Sequence, residues 1–512
     1  TGIASIFLLW EIATLIVTGS ENNSLSLIRL AEQFFNEIDN DGGISFTVSF
    51  FEILLYHSIF LFLTTVVLAI SNHVKPLAEN NRYLHLCLSL NGVAILIAWS
   101  FTGEPVMCFF PFAIAIIAWI SCSRLLRNFN PVGQAYLIAA GMLLLSSFSW
   151  GIWFVTSLDI SIPTRLLLYA AMIFSIFTFP HLIGNSIIMA AIIGRNKHSR
   201  PSPPPQEISK DRKYFPKVSL HVPCYAEPPE VVIKTINALN NLDYPNLEVL
   251  VIDNNTQDPL LWKPVEAYCA SLGEKIRFFH VAPLKGAKAG ALNWVLPHVA
   301  PDTEIIGCID ADYVVEPDFL MRLVGHFDDP MLGFVQTSHD YRSWKTSLYQ
   351  KMCYWEYMPT YKQNLPALSE WTAGYTVGTM CLIRRKALVE AGGWAEWCLT
   401  EDSELAIRIH ALGYNSICLP DTFGRGLIPD TFAGYKKQRF RWTVGPLQQF
   451  KHHFRLFLPR PFGKPSAMSF AQKYFEFIHC TETASNLYQL FMFLLGSAIC
   501  FSMIFHGESI NP

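Results

Sequence analysis

The sequence predicts an α/β domain with a mostly parallel sheet, inserted between membrane-spanning α-helices. Three observations lead there. Only 15% of the 512 residues are charged and 51% are hydrophobic, whereas a soluble globular chain carries about 25% charged residues. The apolar excess is confined to residues 1–200 and 467–512, in stretches close to the ~20 residues a helix needs to cross a bilayer. Between them, strand-like apolar runs alternate with helical patterns, the order that builds a parallel sheet covered on both faces.

Candidate spans cover 1–19, 50–71, 85–101, 105–121, 133–157 and 166–194, with another at 483–505. Their orientation follows from the loops. Those after the second, fourth and sixth spans carry Lys75 and Arg82, then Arg124 and Arg127, then Arg195, Lys197, Arg200, Lys210, Arg212 and Lys213. The alternate loops hold Arg29 and Arg165 among acids such as Glu21, Glu37, Asp39, Asp41 and Glu104. Basic loops stay cytoplasmic, so the α/β segment is expected on the cytoplasmic side of an inner membrane, in a multi-pass chain. A net charge of −3 argues against nucleic acid as a partner. The twelve cysteines include no C-x-x-C pair, so neither a zinc site nor a disulfide framework is indicated. Residue 1 is Thr rather than Met, and the sequence is read as processed or partial.

"RPSPPPQ" (Arg200–Gln206) closes the first apolar part as a proline-rich linker. "KVSLHV", "LEVLVID", "IRFFHV", "EIIGCID" and "LGFVQT" then read as strands. "PEVVIKTINAL", "PVEAYCASL" and "EPDFLMRLVGHF" read as the helices between them. In "WCLTEDSELAIRIHALGYN", Leu405, Ala406, Ile409 and Leu412 recur at helical spacing, with Thr400 at the N-cap. "RLFLPRPFGK" (455–464) and "FAQKYFEFIH" (470–479) read as helices lying at a membrane interface.

Ligands of such sheets bind at the carboxyl ends of the strands, and two of these strands end in aspartate. "LEVLVID" ends at Asp253, and "EIIGCID" runs into Asp310-Ala311-Asp312. Two carboxylates at a sheet mouth supply hard oxygen ligands for Mg²⁺ or Mn²⁺ against a diphosphate; a plain turn is the alternative, since Asp favours turns. "PLKGAKAGALN" (283–293) is a glycine-rich loop with Lys285 and Lys288, suited to phosphates or simply basic and flexible. In "GYKKQRFRWTVG" (434–445), Arg439 and Arg441 can fork onto phosphate oxygens and Trp442 offers a flat face to a sugar, unless they anchor at an interface. Glu401 and Asp402 open their helix either as favourable charges at its dipole or as a catalytic base.

"HVPCYAEP", "VIDNNT", "KGAKAGALN", "CIDADY", "TED" and "QRFRW" in this order, on one α/β domain flanked by spans, resemble the membrane-embedded processive family 2 glycosyltransferases of the cellulose synthase superfamily. Within it, "FFHVAPLKGAKAGALNW", "WAEWCLTEDSEL" and "GLIPDTFAGYKKQRFRW" look most like bacterial β-1,3-glucan synthases. The resemblance implies a GT-A fold, Rossmann-like and nucleotide-sugar-binding, with UDP-glucose as donor and a growing β-glucan as acceptor. It implies that Tyr225 and Glu227 line the uridine pocket with Asp253 and Lys288 nearby, and that Asp310 and Asp312 bind the diphosphate and its Mg²⁺ or Mn²⁺. Asp402 would be the general base, with Thr400 and Glu401 beside it at the acceptor. Gln438 and Arg441 would hold the diphosphate, and Trp442 would stack under the acceptor sugar. One departure is that no F-x-V-T-x-K segment occurs.

The expected organisation is a transmembrane region over 1–199, a linker over 200–213 and a cytoplasmic GT-A domain over 214–455. Interfacial helices over 456–482 and a transmembrane helix over 483–512 follow. Two further readings are a β-1,4-glucan (cellulose) synthase and a non-processive transferase adding a sugar to a lipid. A transporter with a nucleotide-sensing domain is disfavoured, because Glu11 is almost the only acid well inside an expected span.

Overall fold

Strand β1 (Lys217–Cys224) lies inside a seven-stranded sheet of order β3-β2-β1-β4-β7-β6-β8. The computed structural model describes residues 50–74, 89, 91–99, 105–123, 126, 128–194, 214–459 and 461–508. The expected span at 1–19 and the linker at 200–213 lie outside the described residues. In β2 (Leu247–Asn254), Val249 and Val251 enter one apolar cluster while Leu250 and Ile252 enter another on the opposite face. Covering both faces explains why this strand reads as a continuous apolar run rather than an alternation. Helices Pro229–Asn240 and Pro259–Ser271 belong to the first face; helices Ala287–Val295 and Glu401–Ala411 belong to the second.

β1, β2, β3 (Ile276–Val281) and β4 (Thr303–Cys308) run parallel, as expected. In the far half of the sheet only "LGFVQT" was anticipated as a strand. β6 (Leu332–Thr337) pairs with β7 (Cys381–Arg384) and β8 (Asn415–Leu419), and β7 is antiparallel to both β4 and β6. Four residues, "CLIR", are too few for periodicity to register as a strand. A two-stranded ribbon of β5 (Val314–Val315) and β9 (Gly424–Arg425) completes the β structure among the described residues.

Three helical stretches are long and apolar enough to cross a membrane: Pro131–Ser157, Ile162–Gly194 and Leu487–His506. Helices Phe50–Val74 and Pro105–Ser123 coincide with two further expected spans, and in the expected span 85–101 the described residues 91–99 are helical. The stretch 162–194 is one helix in outline, with 3-10 turns at Ile176–Thr178 between Ile162–Ser175 and Phe179–Gly194. Trp150 and Trp153 are packing residues here: Trp150 stacks on Phe154 at 4.8 Å and Trp153 on Phe51 at 6.5 Å.

The first expected interfacial helix, 455–464, is replaced by the end of a long helix that the sequence reading did not anticipate. Helix Phe432–Phe457 carries "QRFRW" and stops at Phe457, so the described residues among 458–464 are not helical. Pro459 and Pro461 lack the N–H that helix continuation needs. Helix Phe470–Thr481 does form, with a capping box between Ser469 and Gln472. It is pinned to the apolar helices: Tyr474 Oη donates to the Pro180 carbonyl at 2.5 Å, and Thr481 Oγ1 lies 3.1 Å from His181 Nε2. Gly184 faces Ile478 and Tyr474 of this helix.

Candidate functional site

A cleft of about 870 Å³ opens where the strand order reverses, between the ends of β1 and β4. It gathers Tyr225, Glu227, Lys288, Asp310, Asp312, Thr400, Glu401, Asp402, Gln438, Arg441 and Trp442, residues spread over more than 200 positions. Asp253 stands apart from them. Its carboxylate lies behind the cleft, accepting from Thr256 Oγ1 at 2.7 Å and sitting 2.9 Å from His280 Nδ1, and the His280 ring is stacked on Trp262. Thr256 in turn accepts the Ala226 N–H at 2.9 Å, so Asp253 braces the Tyr225–Glu227 turn from below.

The Asp310-Ala311-Asp312 turn is held from three sides. Thr235 Oγ1 donates to the Ala311 carbonyl at 2.7 Å, the Asp310 N–H donates to Thr379 Oγ1 at 2.9 Å, and the Leu427 N–H donates to Asp312 Oδ2 at 2.7 Å. Lys288 donates to Asp310 Oδ1 at 2.5 Å and to the Gly378 carbonyl at 2.7 Å. Burial, then the charge of Asp310, push the Asp312 carboxyl up to about 6. This is a surplus of negative charge that a divalent cation would relieve. Among the described residues no group of three or more His, Cys, Asp and Glu converges on one point. A two-carboxylate site therefore suits a cation that takes its remaining oxygen ligands from a diphosphate and water.

Asp402 and Glu401 lie at the floor of the cleft, surrounded by protein yet partly open to it. Burial raises both carboxyls above the ordinary range, with Lys288 opposing the rise. The Ser403 N–H donates to Asp402 Oδ1 at 2.8 Å, and Thr376 Oγ1 donates to the Asp402 carbonyl at 2.7 Å. Gly378 (φ +86°) sits between the two ends of the site: a Cβ there would lie 2.7 Å from Asp402 Oδ2 and 3.4 Å from Lys288 Nζ. Only glycine fits that conformation beside two charged side chains. Thr400 corrects an expectation, since its side chain makes no cap bond to the helix it precedes. Its hydroxyl is engaged by Gln449 instead, at 2.7 Å.

A second cavity of about 420 Å³ lies on the other side of Asp402 and Trp442. Tyr357, Tyr361, Tyr375 and Trp442 give it aromatic walls, and His479, Glu482 and Thr483 line it from the segment that leads into the last apolar helix. His479 stacks on Tyr375 at 3.8 Å, and burial lowers its ring to about 4, so it is neutral. The Arg439 guanidinium lies 4.7 Å from the Trp442 ring and pairs with Glu356, while Tyr357 Oη donates to Gln438 Oε1 at 2.8 Å. The sequence reading missed Glu356, Tyr357, Gly378, Thr379 and Gln449. The one local cue was the glycine of "GYTVGT" just before an apolar run; the rest reach the site only by folding.

A family model described as "Glycosyltransferase like family 2" matches residues 216–445. The chain is 32% identical over 250 residues to a probable glucomannan 4-β-mannosyltransferase 7 of Oryza sativa subsp. japonica, covering 47% of this chain and 42% of that one. It is 30% identical over 259 residues to the cellulose synthase catalytic subunit (UDP-forming) of Pseudomonas fluorescens (strain SBW25), covering 48% of this chain and 33% of that one. The chain thus spans less than half the length of these two relatives. Residues 216–445 are similar to family 2 glycosyltransferases of the cellulose synthase and glucomannan synthase type. Among solved structures, a mannosyltransferase from Pyrobaculum calidifontis in complex with GDP-Man and Mn²⁺ aligns at TM-score 0.43 and 20% identity, over 67% of this chain and 97% of its own.

Proposed function

We propose that the chain is a membrane-embedded processive β-glycan synthase, transferring glucose with inversion from UDP-glucose to the non-reducing end of a growing glucan. The observation that carries this is the meeting of two cavities across Asp402 and Trp442. The larger has the features of a nucleotide-sugar cleft; the smaller is aromatic-walled and lined in part by the segment that leads into the last apolar helix. A donor in the first and an acceptor in the second would meet at the Asp402 carboxylate.

Tyr225 and Glu227 hold the nucleobase end, and Gln438 and Arg441 hold the diphosphate. Asp402, ionised, takes the proton of the acceptor hydroxyl as that oxygen attacks the anomeric carbon, and Thr400 and Glu401 orient the acceptor. One face of Trp442 is covered by Arg439, and the ring borders both cavities, which suits stacking under the acceptor sugar. Asp310 and Asp312 would hold Mg²⁺ or Mn²⁺, which when bound supplies charge neutralisation for the departing diphosphate. The product leaves through the apolar helices, with the α/β domain on the cytoplasmic side of an inner membrane.

The "WAEWCLTED" and "GLIPDTF" segments favour a β-1,3 linkage. A second reading, a β-1,4-linked glucan or mannan, rests on the similarity to the glucomannan mannosyltransferase and the cellulose synthase. Purified chain given radiolabelled UDP-glucose or GDP-mannose separates these. Polymer made from UDP-glucose, lost in excess EDTA and digested by a β-1,3-glucanase but not by a cellulase, is the expected result. Cellulase-sensitive polymer, or polymer from GDP-mannose alone, transfers the assignment to the second reading.

A further inference from the structure

Beyond these roles, we infer that Gln449 is a positioning residue for the base: it latches the helix of Asp402 to the helix of Arg441. The inference rests on the reading of Asp402 as base. Gln449 is fully buried, with none of its surface open to solvent. Its amide nitrogen faces three oxygens at the start of helix Glu401–Ala411: the Thr400 carbonyl at 3.1 Å, Thr400 Oγ1 at 2.7 Å and Ser403 Oγ at 2.7 Å. Its neighbour Gln448 accepts the Leu399 N–H at 3.0 Å. Two consecutive glutamines of helix Phe432–Phe457 therefore grip consecutive residues leading into the base.

Close approach is built into the same stretch. Gly445, one turn before Gln449, faces Thr400, and a Cβ there would fall 2.1 Å from Thr400 Oγ1. The two helices can touch at this point only because glycine has no side chain. The consequence is geometric. Gln438 and Arg441, at the diphosphate end, lie two to three turns along the helix that carries the latch. Asp402 lies between Thr400 and Ser403, the two residues latched. The oxygen that removes a proton is thereby indexed to the side chains that hold the leaving group, which lie well apart from it in sequence.

The latch also bears on how Asp402 ionises. The Ser403 N–H donates to Asp402 Oδ1 and favours the charged form. Lys288 favours it too, while Asp310 and the neighbouring Glu401 oppose it. Loosening Ser403 weakens one of the contacts that favour the charged form, so the Asp402 carboxyl rises further and the base is lost at a higher pH than in the parent.

Gln449→Met keeps the volume and removes the amide donors; Ser403→Ala removes one acceptor with a smaller disturbance. In the purified full chain, Gln449→Met should lower kcat about 10- to 100-fold, as a base displaced by a fraction of an ångström does. The donor KM should stay within about twofold, because the diphosphate contacts remain. The acid limb of the kcat profile should move to higher pH, and amide exchange at residues 400–405 should quicken while that at 310–312 holds. Ser403→Ala should fall between parent and Gln449→Met, and the double variant should add little, since the two residues share one contact. An unchanged kcat, unchanged exchange at 400–405, or additive effects in the double variant would overturn the latch. So would a loss of donor binding in step with thermal stability, which a general packing role produces. Full turnover by Asp402→Asn, run alongside, would instead sink the base reading while the exchange data still decide the latch.

Discussion

Asp402 sits one bond from Ser403, two residues from the Gln449 contact and against a glycine that no other residue can replace. Its environment defines what it can do. Burial raises its carboxyl, and a base works only when ionised, so turnover should be full at alkaline pH. It should fall as pH drops through a value above the ordinary aspartate range. Asp402→Asn keeps the shape and removes the basicity. It should lower kcat by about 10²–10⁴-fold with nucleotide binding intact, and remove the acid limb with it. A variant that transfers normally, or that merely melts earlier, would show the carboxylate to be a structural group.

Among the elements, helix Phe470–Thr481 has the most unexpected importance. It lies between the apolar helices and the domain, touching both. His410 of the base helix lies 2.8 Å from Glu476 of this helix, both wholly buried, and the second His410 nitrogen lies 3.0 Å from Ser416 Oγ. Glu476 Oε2 has no hydrogen-bond partner, so His410 is the contact that makes the buried carboxyl tolerable. Replacing His410 with Ala strands that carboxyl and should cost about 3–5 kcal/mol, read as a fall in the thermal midpoint of the detergent-solubilised chain. Glu476→Gln, which keeps a hydrogen-bonding group without charge, should cost far less. Equal losses in the two variants would mean that the pair contributes volume rather than a hydrogen bond. In sequence this helix reads as amphipathic and interfacial. The buried pair beneath it could not be read, because His410 and Glu476 are 66 positions apart.

For the whole molecule, the question is which side of the bilayer the cleft faces. The basic loops around Arg124, Arg127 and Arg195 argue for the cytoplasm. Protease added to inside-out inner-membrane vesicles should cut within residues 214–459, and right-side-out vesicles should protect that segment. Cleavage in right-side-out vesicles, with protection in inside-out ones, would reverse the topology. The contacts from Tyr474 and Thr481 to Pro180 and His181 make the domain ride on the same helices that would carry the product.

Sequence alone determined the features whose signal is local. Apolar length revealed candidate spans, because crossing a bilayer takes an uninterrupted run. Buried parallel strands showed as apolar runs, Asp310, Asp312, Glu401 and Asp402 stood out as charges at strand or helix ends, and Arg441 stood out within a basic-aromatic cluster. Tertiary structure decided everything that depends on distance in the chain. It turned β7 antiparallel, and it set Asp253 behind the cleft rather than in it. It gave the Thr400 hydroxyl to Gln449 rather than to its own helix, and it divided the site into two cavities across Asp402. The reason is physical: periodicity and capping are written within a few residues. Which hydrogen bond a buried hydroxyl or carboxylate makes is chosen by whatever folding brings within about 3 Å of it.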